Sequence, residues 1–272
     1  MTIDPHLIPT SKLQGYLQGA IIPRPIAFAS TIDREGNVNL SPFSFFNLFS
    51  ANPPILVFSP SRRVRDNTTK HTYENVKQIP EVVIHLVTFE MVDQASLTSC
   101  DFPRHVNEFR KAGLTEIPSS RVRPPRVAES PVSMECKVIQ VMELGDQGGA
   151  GALVICEVLL MHIKDEVLDE SGRIDPFKLD AVARLGQDYY SRVNEGVFKV
   201  VKPSEKVGVG IDQLPLALRE NGYLTKGELA QLATIEKLPS GPTMDRIDYP
   251  MVKSLLSAGL VAQAWELLIK KV

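Results

Sequence analysis

The chain has 272 residues, and its 30 lysine and arginine side chains nearly balance 32 aspartate and glutamate side chains, leaving a formal net charge of −2. This balance gives no general attraction to nucleic acid or to an anionic membrane surface, so we expect neither as a partner. Hydrophobic residues make up 43% of the chain and charged residues 23%, which is typical of a folded globular protein and not of a disordered one.

The three cysteines, Cys100, Cys136 and Cys156, lack CxxC spacing, which argues against a disulfide framework and against a thiolate zinc site. Residues 1–9 contain no basic stretch followed by an apolar run, so a secretory signal is not expected. The longest apolar stretch, 153–163, is too short to span a bilayer. The expected location is the cytoplasm.

Residue alternation and turn signals predict a β-rich first part of the chain. The predicted elements are a strand over 25–31, an irregular second arm over 38–46, a strand over 55–59, a helix that ends near Pro80, a strand over 82–88, helices over 91–97 and 106–112, and strands over 132–142 and 153–163. Asp66, Thr68 and Thr69 are the candidate N-caps of the first helix.

A glycine-rich segment over 145–151 joins the last two predicted strands. A dinucleotide-binding glycine loop must open onto a helix whose N-terminus meets the pyrophosphate, so a mobile hairpin loop is the better interpretation.

We therefore predict a β-dominated domain over 1–203, closer to a barrel of roughly six strands than to a parallel sheet, with helices inserted between strands. A helical extension is predicted over 204–272, with helices over 226–233 and 250–271 that are broken near 239–242 and at Gly259. Trp265, the single tryptophan, is expected to be a packing anchor.

Several catalytic chemistries lack their motifs in this sequence, which has no GxxxxGK[ST], HExxH or GxSxG and no metal-ligand spacing among its five histidines. We therefore expect no metal. Cys100 has no local base pattern beside it, so we expect a partly buried structural thiol there and not a nucleophile.

Basic and hydroxyl side chains gather around the start of the first predicted helix. They are Arg62, Arg63, Arg65, Thr68, Thr69, Lys70 and Thr72. Free N–H groups and the positive end of a helix dipole favour a phosphate at such a position, and arginine or lysine supplies neutralising charge. The alternative is a capped helix with solvated arginines.

The predicted strands add a second candidate element, because Ser30-Thr31 and Ser41 to Ser44 bring hydroxyls next to Phe43, Phe45 and Phe46. An aromatic cofactor needs flat apolar walls and a few hydrogen-bonding groups at its polar edge, which this mixture offers. The alternative places the three phenylalanines in the core.

Taken in order, these segments resemble the flavin reductase-like family, FMN-binding split barrels that include flavoredoxins and the reductase components of two-component monooxygenases. The matching segments are PRPIAFAST over 23–31, NLSPFSFFN over 39–47, Pro53-Pro54, TKHTYEN over 69–75, NEFRKAGLT over 107–115, ESPVSMEC over 129–136 and ARLG over 183–186. The resemblance implies a mainly β (α+β) fold, an FMN-binding split β-barrel with inserted helices, here with a C-terminal helical extension. It also implies a homodimer with FMN near the subunit interface, and a monooxygenase or electron-transfer partner.

Carried over position by position, the resemblance assigns the FMN-binding residues. Those expected to line the flavin are Ser30, Thr31, Ser41, Ser44 and Asn47, and those expected at its phosphate are Ser59, Lys70, Thr72 and an arginine of 62–65, represented by Arg62. His71 stands where the family usually has aspartate and His85 where asparagine is common, so either could change the charge beside the flavin or the dimer contact.

Three functions are compatible with the sequence. The first is an NAD(P)H:flavin oxidoreductase, in which a hydride passes from NADH or NADPH to the flavin and no catalytic side chain is required, because the flavin performs the chemistry. The alternative is a flavoredoxin-like electron carrier or flavin-binding module without nicotinamide turnover of its own. The third is a cofactor-free barrel that binds partners through its helical extension.

Overall fold

The computed structural model describes residues 1–200, 207–239 and 247–269. The chain forms two compact units, Met1–Val197 and Phe198–Val272. The boundary predicted between residues 203 and 204 lies outside the described residues.

Antiparallel strands dominate the first unit. The strands are β1 (Ala27–Ile32), β2 (Val38–Phe43), β3 (Phe46–Ala51), β4 (Pro54–Phe58), β5 (Glu81–His85), β6 (Glu116–Ile117), β7 (Arg126–Val127), β8 (Val132–Glu143), β9 (Ala152–Ile163), β10 (Val182–Arg184) and β11 (Tyr190–Arg192). Seven of them form one sheet in the order β2-β1-β5-β8-β9-β4-β3, and every neighbouring pair is antiparallel. The short strands form two hairpins, β6–β7 and β10–β11.

The sheet curls round on itself. Its two edge strands, β2 and β3, are consecutive in the chain and are joined only by Ser44 and Phe45, so the two edges meet at this short connection. The irregular arm predicted over 38–46 is therefore strand β2 followed by the connection, and it ends at the first residue of β3 on the opposite edge of the sheet. The predicted class, a mainly β (α+β) barrel, is confirmed, with seven strands in the sheet instead of about six.

Two hydrophobic clusters hold the first unit together, and β1 contributes to both. Ala27 and Ala29 belong to the cluster that contains Phe58, whereas Phe28 points the other way into the cluster that contains Phe109. This division follows the period of two along a strand. Burying each such phenylalanine stabilises the fold by about 1.5 to 3 kcal/mol before entropic costs.

Helices cover the sheet and fill its connections. In the first unit they are α1 (Thr10–Ala20), α2 (His71–Gln78), α3 (Val92–Leu97), α4 (Glu108–Ala112) and α5 (Pro176–Leu179). The sequence did not predict α1, in which no side chain is fully buried. Within the described residues, no helix is both long and apolar enough to cross a membrane.

The N-cap prediction for α2 is wrong. Its cap residue is Lys70, whose side chain makes no capping hydrogen bond. The predicted cap side chains are engaged elsewhere: Asp66 accepts hydrogen bonds from the N–H and hydroxyl of Thr68, and the Thr69 hydroxyl donates to Glu74. The first N–H groups of α2 therefore have no side-chain cap from these three residues.

The second unit is helical. Its helices are α6 (Leu216–Arg219), α7 (Lys226–Leu232), α8 (Tyr249–Ser257) and α9 (Val261–Ile269). Gly259, with a φ of +74°, separates α8 from α9 as predicted, whereas most of the predicted break over 239–242 lies outside the described residues. Trp265 is confirmed as a packing anchor, because it is buried in the core of this unit and its indole N–H donates to the Leu232 carbonyl at 2.9 Å.

Candidate functional site

A cleft of about 430 Å³ opens in the first unit where the two sheet edges meet. Four segments of the chain line it: α1, the end of β2 with its connection to β3, the basic loop after β4, and the loop between α3 and α4. The residues that line it include Gln14, Gln18, Ser41, Phe43, Ser44, Phe45, Ser59, Ser61, Arg62, Arg63, Arg65, Lys70 and Asp101.

Arg24 fixes the helical wall of the cleft. This arginine is buried, and its guanidinium donates to the main-chain carbonyls of Gln18, Ile21 and Leu185. Its Nε also lies 3.4 Å from the Ser44 hydroxyl. Arg24 thus ties α1 to the connection between the two sheet edges, which positions Gln18 and Ser44 on the same cleft.

Arg63 holds the basic loop in shape. It donates to Asp101 from Nε at 2.9 Å and from Nη2 at 2.6 Å, to the Thr68 hydroxyl at 3.0 Å, and to the Thr69 carbonyl. Only 15% of its side chain is exposed. The loop is therefore ordered before any ligand arrives, which lowers the entropic cost of binding.

The cleft carries a cluster of positive charge around one carboxylate. The Asp101 carboxylate forms salt bridges with Arg63, with the Nη2 of Arg65, and with Lys70 at 3.5 Å. The Arg63 hydrogen bond lowers the pKa of Asp101 to about 2, and burial together with the neighbouring Arg63 lowers the pKa of Lys70. With Arg62 nearby, this cluster, hereafter the basic cluster (Arg62, Arg63, Arg65 and Lys70), favours an anionic ligand group.

Two serines add hydroxyl donors beside the basic cluster. The Ser59 hydroxyl accepts a hydrogen bond from the Ala152 N–H at 3.1 Å, which leaves its own hydrogen to donate. The Ser61 hydroxyl oxygen is buried and has no hydrogen-bond partner among the described residues. A buried hydroxyl without a partner costs about 1 to 3 kcal/mol, so a ligand that accepts its hydrogen bond recovers that cost.

The glycine-rich segment over 145–151 is the hairpin connection between β8 and β9 that the sequence predicted, and it supports the basic loop. Main-chain hydrogen bonds join Arg62 to Ala150 at 2.9 Å and Gly149 to Arg62 at 3.0 Å. A Cβ at Gly148 would come within 3.0 Å of the Val64 carbonyl oxygen, and a Cβ at Gly151 within 2.8 Å of the Ser59 hydroxyl. The glycines therefore allow this hairpin to pack directly against the basic loop.

The structure brings Ser41, Ser44, Ser59, Arg62 and Lys70 together on the cleft. These are five of the nine residues that the sequence proposed for FMN. Asn47 lies instead on an adjoining apolar pocket of about 360 Å³, which shares Phe45, Ser59 and Ser61 with the cleft. Its side-chain oxygen accepts the N–H of the next residue, Leu48, at 2.8 Å.

Ser30, Thr31 and Thr72 do not reach the cleft, because all three are fully buried. The Thr31 hydroxyl accepts a hydrogen bond from Asn75 at 3.1 Å, and the Thr72 hydroxyl accepts one from Asn39 at 2.8 Å. These bonds join β1 and β2 to α2. The two bonds help to position Lys70 at the start of that helix. Contact of Ser30, Thr31 and Thr72 with FMN stays a prediction.

His85 adds no positive charge near neutral pH. It is fully buried, its Nδ1 donates to the Phe28 carbonyl at 2.7 Å, and its Nε2 accepts from the Val127 N–H at 3.0 Å. Burial lowers its pKa to about 4, so the expectation that it changes the charge beside the ligand is not supported. Burial and the nearby Arg104 also lower the pKa of His71.

Sequence reasoning missed the residues that reach the cleft from distant parts of the chain. Gln14 and Gln18 come from α1, and Asp101 comes from the loop between α3 and α4. No local pattern marked them, since their role depends on where the tertiary fold places them. Asp101 pairs with an arginine-rich stretch that lies 35 to 40 residues earlier in the chain, and only the fold reveals this pairing.

The fold and the cleft together define a class: an α+β split barrel with a basic, hydroxyl-lined cleft bordered by aromatic side chains. The chain belongs to the flavin reductase like domain family, whose pattern matches residues 19–178. This finding confirms the family resemblance seen in the sequence.

Known proteins are similar to this chain over most of its length. An uncharacterized protein of Aquifex aeolicus is 40% identical over 172 residues, which cover 63% of this chain and 85% of that protein. Component B of nitrilotriacetate monooxygenase from Bacillus cereus has a similar structure, with a TM-score of 0.69 and 30% identity, covering 74% of this chain and 98% of that one. A Shewanella frigidimarina protein, assigned as a flavin reductase with a split barrel domain, has a TM-score of 0.62 and 27% identity. The match covers 74% of this chain and 98% of that one.

Proposed function

We propose that this protein is an FMN-dependent oxidoreductase that accepts electrons from NADH or NADPH, an NAD(P)H:flavin oxidoreductase. One observation carries the proposal: in a chain of this family, a single cleft joins the basic cluster and the Ser59 and Ser61 hydroxyls to a wall that contains Phe43 and Phe45. Phosphate at one end and an aromatic ring system at the other match this distribution of groups.

The residues of the cleft divide between the two ends of such a ligand. The basic cluster with Ser59 and Ser61 would hold the phosphate, and Ser41, Phe43, Ser44 and Phe45 would border the ring. When bound, FMN supplies the redox chemistry, accepting two electrons from the nicotinamide donor. The chain's own contribution is binding and orientation, and we assign no proton transfer to a side chain of the cleft.

The relation to the Bacillus cereus protein supports a proposal about the electron acceptor. That protein is one component of a monooxygenase. We propose that reduced flavin formed here serves a separate monooxygenase or another electron-transfer partner, in the cytoplasm. The alternative is an electron carrier that is reduced only by a protein donor, and its bound flavin would stay oxidised with both NADH and NADPH.

We also propose that the chain is a homodimer through the sheet of the first unit. Large apolar side chains stay exposed on its strands: Leu48 and Phe49 of β3 and Ile139 of β8 each have half or more of their surface accessible. Large apolar side chains exposed on a sheet favour burial against another protein surface. A sedimentation measurement that gives a monomer at micromolar concentration would contradict this proposal.

Replacing Lys70 by alanine tests the phosphate end. One charge-assisted contact to a phosphate contributes about 1.5 to 3 kcal/mol, so Lys70→Ala should weaken FMN binding by about tenfold or more in a fluorescence titration. Riboflavin, which lacks the phosphate, should bind both proteins equally.

Lys77→Ala is the matched control. Lys77 lies on the same helix, but its amino group pairs with Glu143 at 3.1 Å and it does not line the cleft. Equal FMN affinity for wild type, Lys70→Ala and Lys77→Ala would contradict the assignment of the phosphate end.

A further inference from the structure

Asp101 places a negative charge inside the basic cluster. Its two carboxylate oxygens form salt bridges with Arg63 at 2.6 Å, with the Nη2 of Arg65, and with Lys70 at 3.5 Å. The residue lies on the loop between α3 and α4, residues 98–107, which is remote in sequence from the basic loop. The side chain is therefore brought to the cluster by the tertiary fold.

The donors that Asp101 occupies are the donors that a phosphate requires. A guanidinium or ammonium group has a fixed number of N–H bonds, so a bound anion must share them with the carboxylate or replace it. Two anions on the same cations also repel each other. Both effects reduce the affinity of the cleft for a phosphate ester.

We infer that Asp101 is an affinity-determining residue, an internal anion that competes with the phosphate of the ligand for Arg63, Arg65 and Lys70. The inference rests on the proposed function, because it places the phosphate in this cleft. By weakening the binding of the phosphate, Asp101 would keep the flavin exchangeable. Reduced flavin that serves a separate partner must be able to leave the cleft.

Asp101 is not needed to hold the two arginines in position, because each arginine has other contacts. Arg63 also donates to the Thr68 hydroxyl at 3.0 Å and to the Thr69 carbonyl. Arg65 also pairs with Asp66 at 3.0 Å. Each arginine thus keeps a second anchor when the Asp101 carboxylate is removed.

Ordinary changes of pH do not remove this competition. The arginines hold the pKa of Asp101 at about 2, so the carboxylate stays charged at neutral and at mildly acidic pH. Added salt should weaken the competition between Asp101 and the phosphate, because the side chain of Asp101 is 35% exposed and exposed ion pairs are screened.

Asp101→Asn tests the inference with a side chain of the same shape. We expect FMN to bind the variant about fivefold more tightly than wild type in a fluorescence titration at low salt, which corresponds to the upper end of the range for exposed ion pairs. The gain should shrink as salt is added, and riboflavin affinity should not change. Asp101→Ala should give the same direction, and circular dichroism verifies that both variants are folded.

Asp66→Asn is the matched control. It removes the same charge from a carboxylate that also contacts Arg65, but Asp66 does not line the cleft. Its effect on FMN affinity should be clearly smaller than that of Asp101→Asn, because Asp66 pairs with one cation of the basic cluster whereas Asp101 pairs with three.

The outcomes separate this inference from the proposed function. If wild type binds FMN and Asp101→Asn binds it equally or more weakly, Asp101 does not compete with the phosphate and the inference is overturned alone. An Asp66→Asn effect as large as that of Asp101→Asn would overturn it too, by reducing it to net charge. If neither wild type nor variant binds FMN, the proposed function falls and takes the inference with it.

Discussion

Glu108 is a buried acid whose charge should cost the fold stability at neutral pH. It begins α4, has 3% of its surface exposed, and accepts the Leu40 N–H at 3.1 Å. Burial raises its pKa from 4.5 to about 7, outweighing the stabilising effect of that hydrogen bond on the charged form. We therefore expect Glu108→Gln to stabilise the first unit, relative to wild type, more strongly at high pH than at low pH.

The sign and size follow from linkage between protonation and folding. The folded chain holds the proton that the unfolded chain loses between about pH 4.5 and pH 7, so stability falls as pH rises through this window. The full cost is present above pH 7 and absent below pH 4.5. Between pH 5 and pH 8, the stability difference between Glu108→Gln and wild type should change by about 2 to 3 kcal/mol.

Urea unfolding followed by far-ultraviolet circular dichroism measures this difference. Because the single tryptophan, Trp265, lies in the second unit, its fluorescence reports on that unit and serves as an internal control in the same sample. Glu90→Gln, at an exposed position, controls for the loss of one negative charge. If the difference between Glu108→Gln and wild type is the same at both pH values, the charged carboxylate carries no burial cost and the reasoning is refuted.

Other predictions concern the cleft support, the second unit and the buried histidine. Gly148→Ala should lower the free energy of unfolding by about 1 to 3 kcal/mol and weaken FMN binding, because the new Cβ meets main-chain atoms of the basic loop. Gly15→Ala is the control and should do neither, because the space around Gly15 is open. Thermal melts and FMN titrations measure both effects. Trp265→Phe should cost the second unit about 1 to 3 kcal/mol through its lost hydrogen bond, measured by urea unfolding, and an unchanged midpoint would contradict this. Since the pKa of His85 falls from 6.5 to about 4, protonation below pH 6.5 should destabilise wild type by about 3 kcal/mol relative to His85→Gln by pH 4; equal pH profiles would argue against a buried neutral imidazole.

The parts of the fold that the sequence predicted correctly are those set by local pattern. β8 and β9 follow from residue alternation and β-branched content, and the end of α4 follows from Gly113, whose φ of +65° suits a helix C-cap. α1 was missed because it contains Gly15 and Gly19 and buries no side chain completely, so no apolar stripe marks it. The break after Phe43, which separates β2 from β3, depends on sheet closure, and sheet closure is not a local property.

The candidate site shows the same division between local and distant information. Arg62 and Lys70 stand within one short basic segment, so their composition alone suggested an anion site. Thr72 belongs to the same segment, but the direction in which it points is set by the packing of α2 on β2, and its hydroxyl bonds Asn39 instead of facing the cleft. Asp101 enters the site from a separate loop and had no sequence signal.

The most direct test of the account is the visible spectrum of the purified protein with FMN, recorded without oxygen before and after adding NADH and then NADPH. The account predicts a protein-bound flavin spectrum that bleaches promptly with at least one of the two donors. A bound flavin that stays oxidised with both would contradict nicotinamide-dependent reduction and favour an electron carrier. A protein that binds no FMN would contradict the central claim.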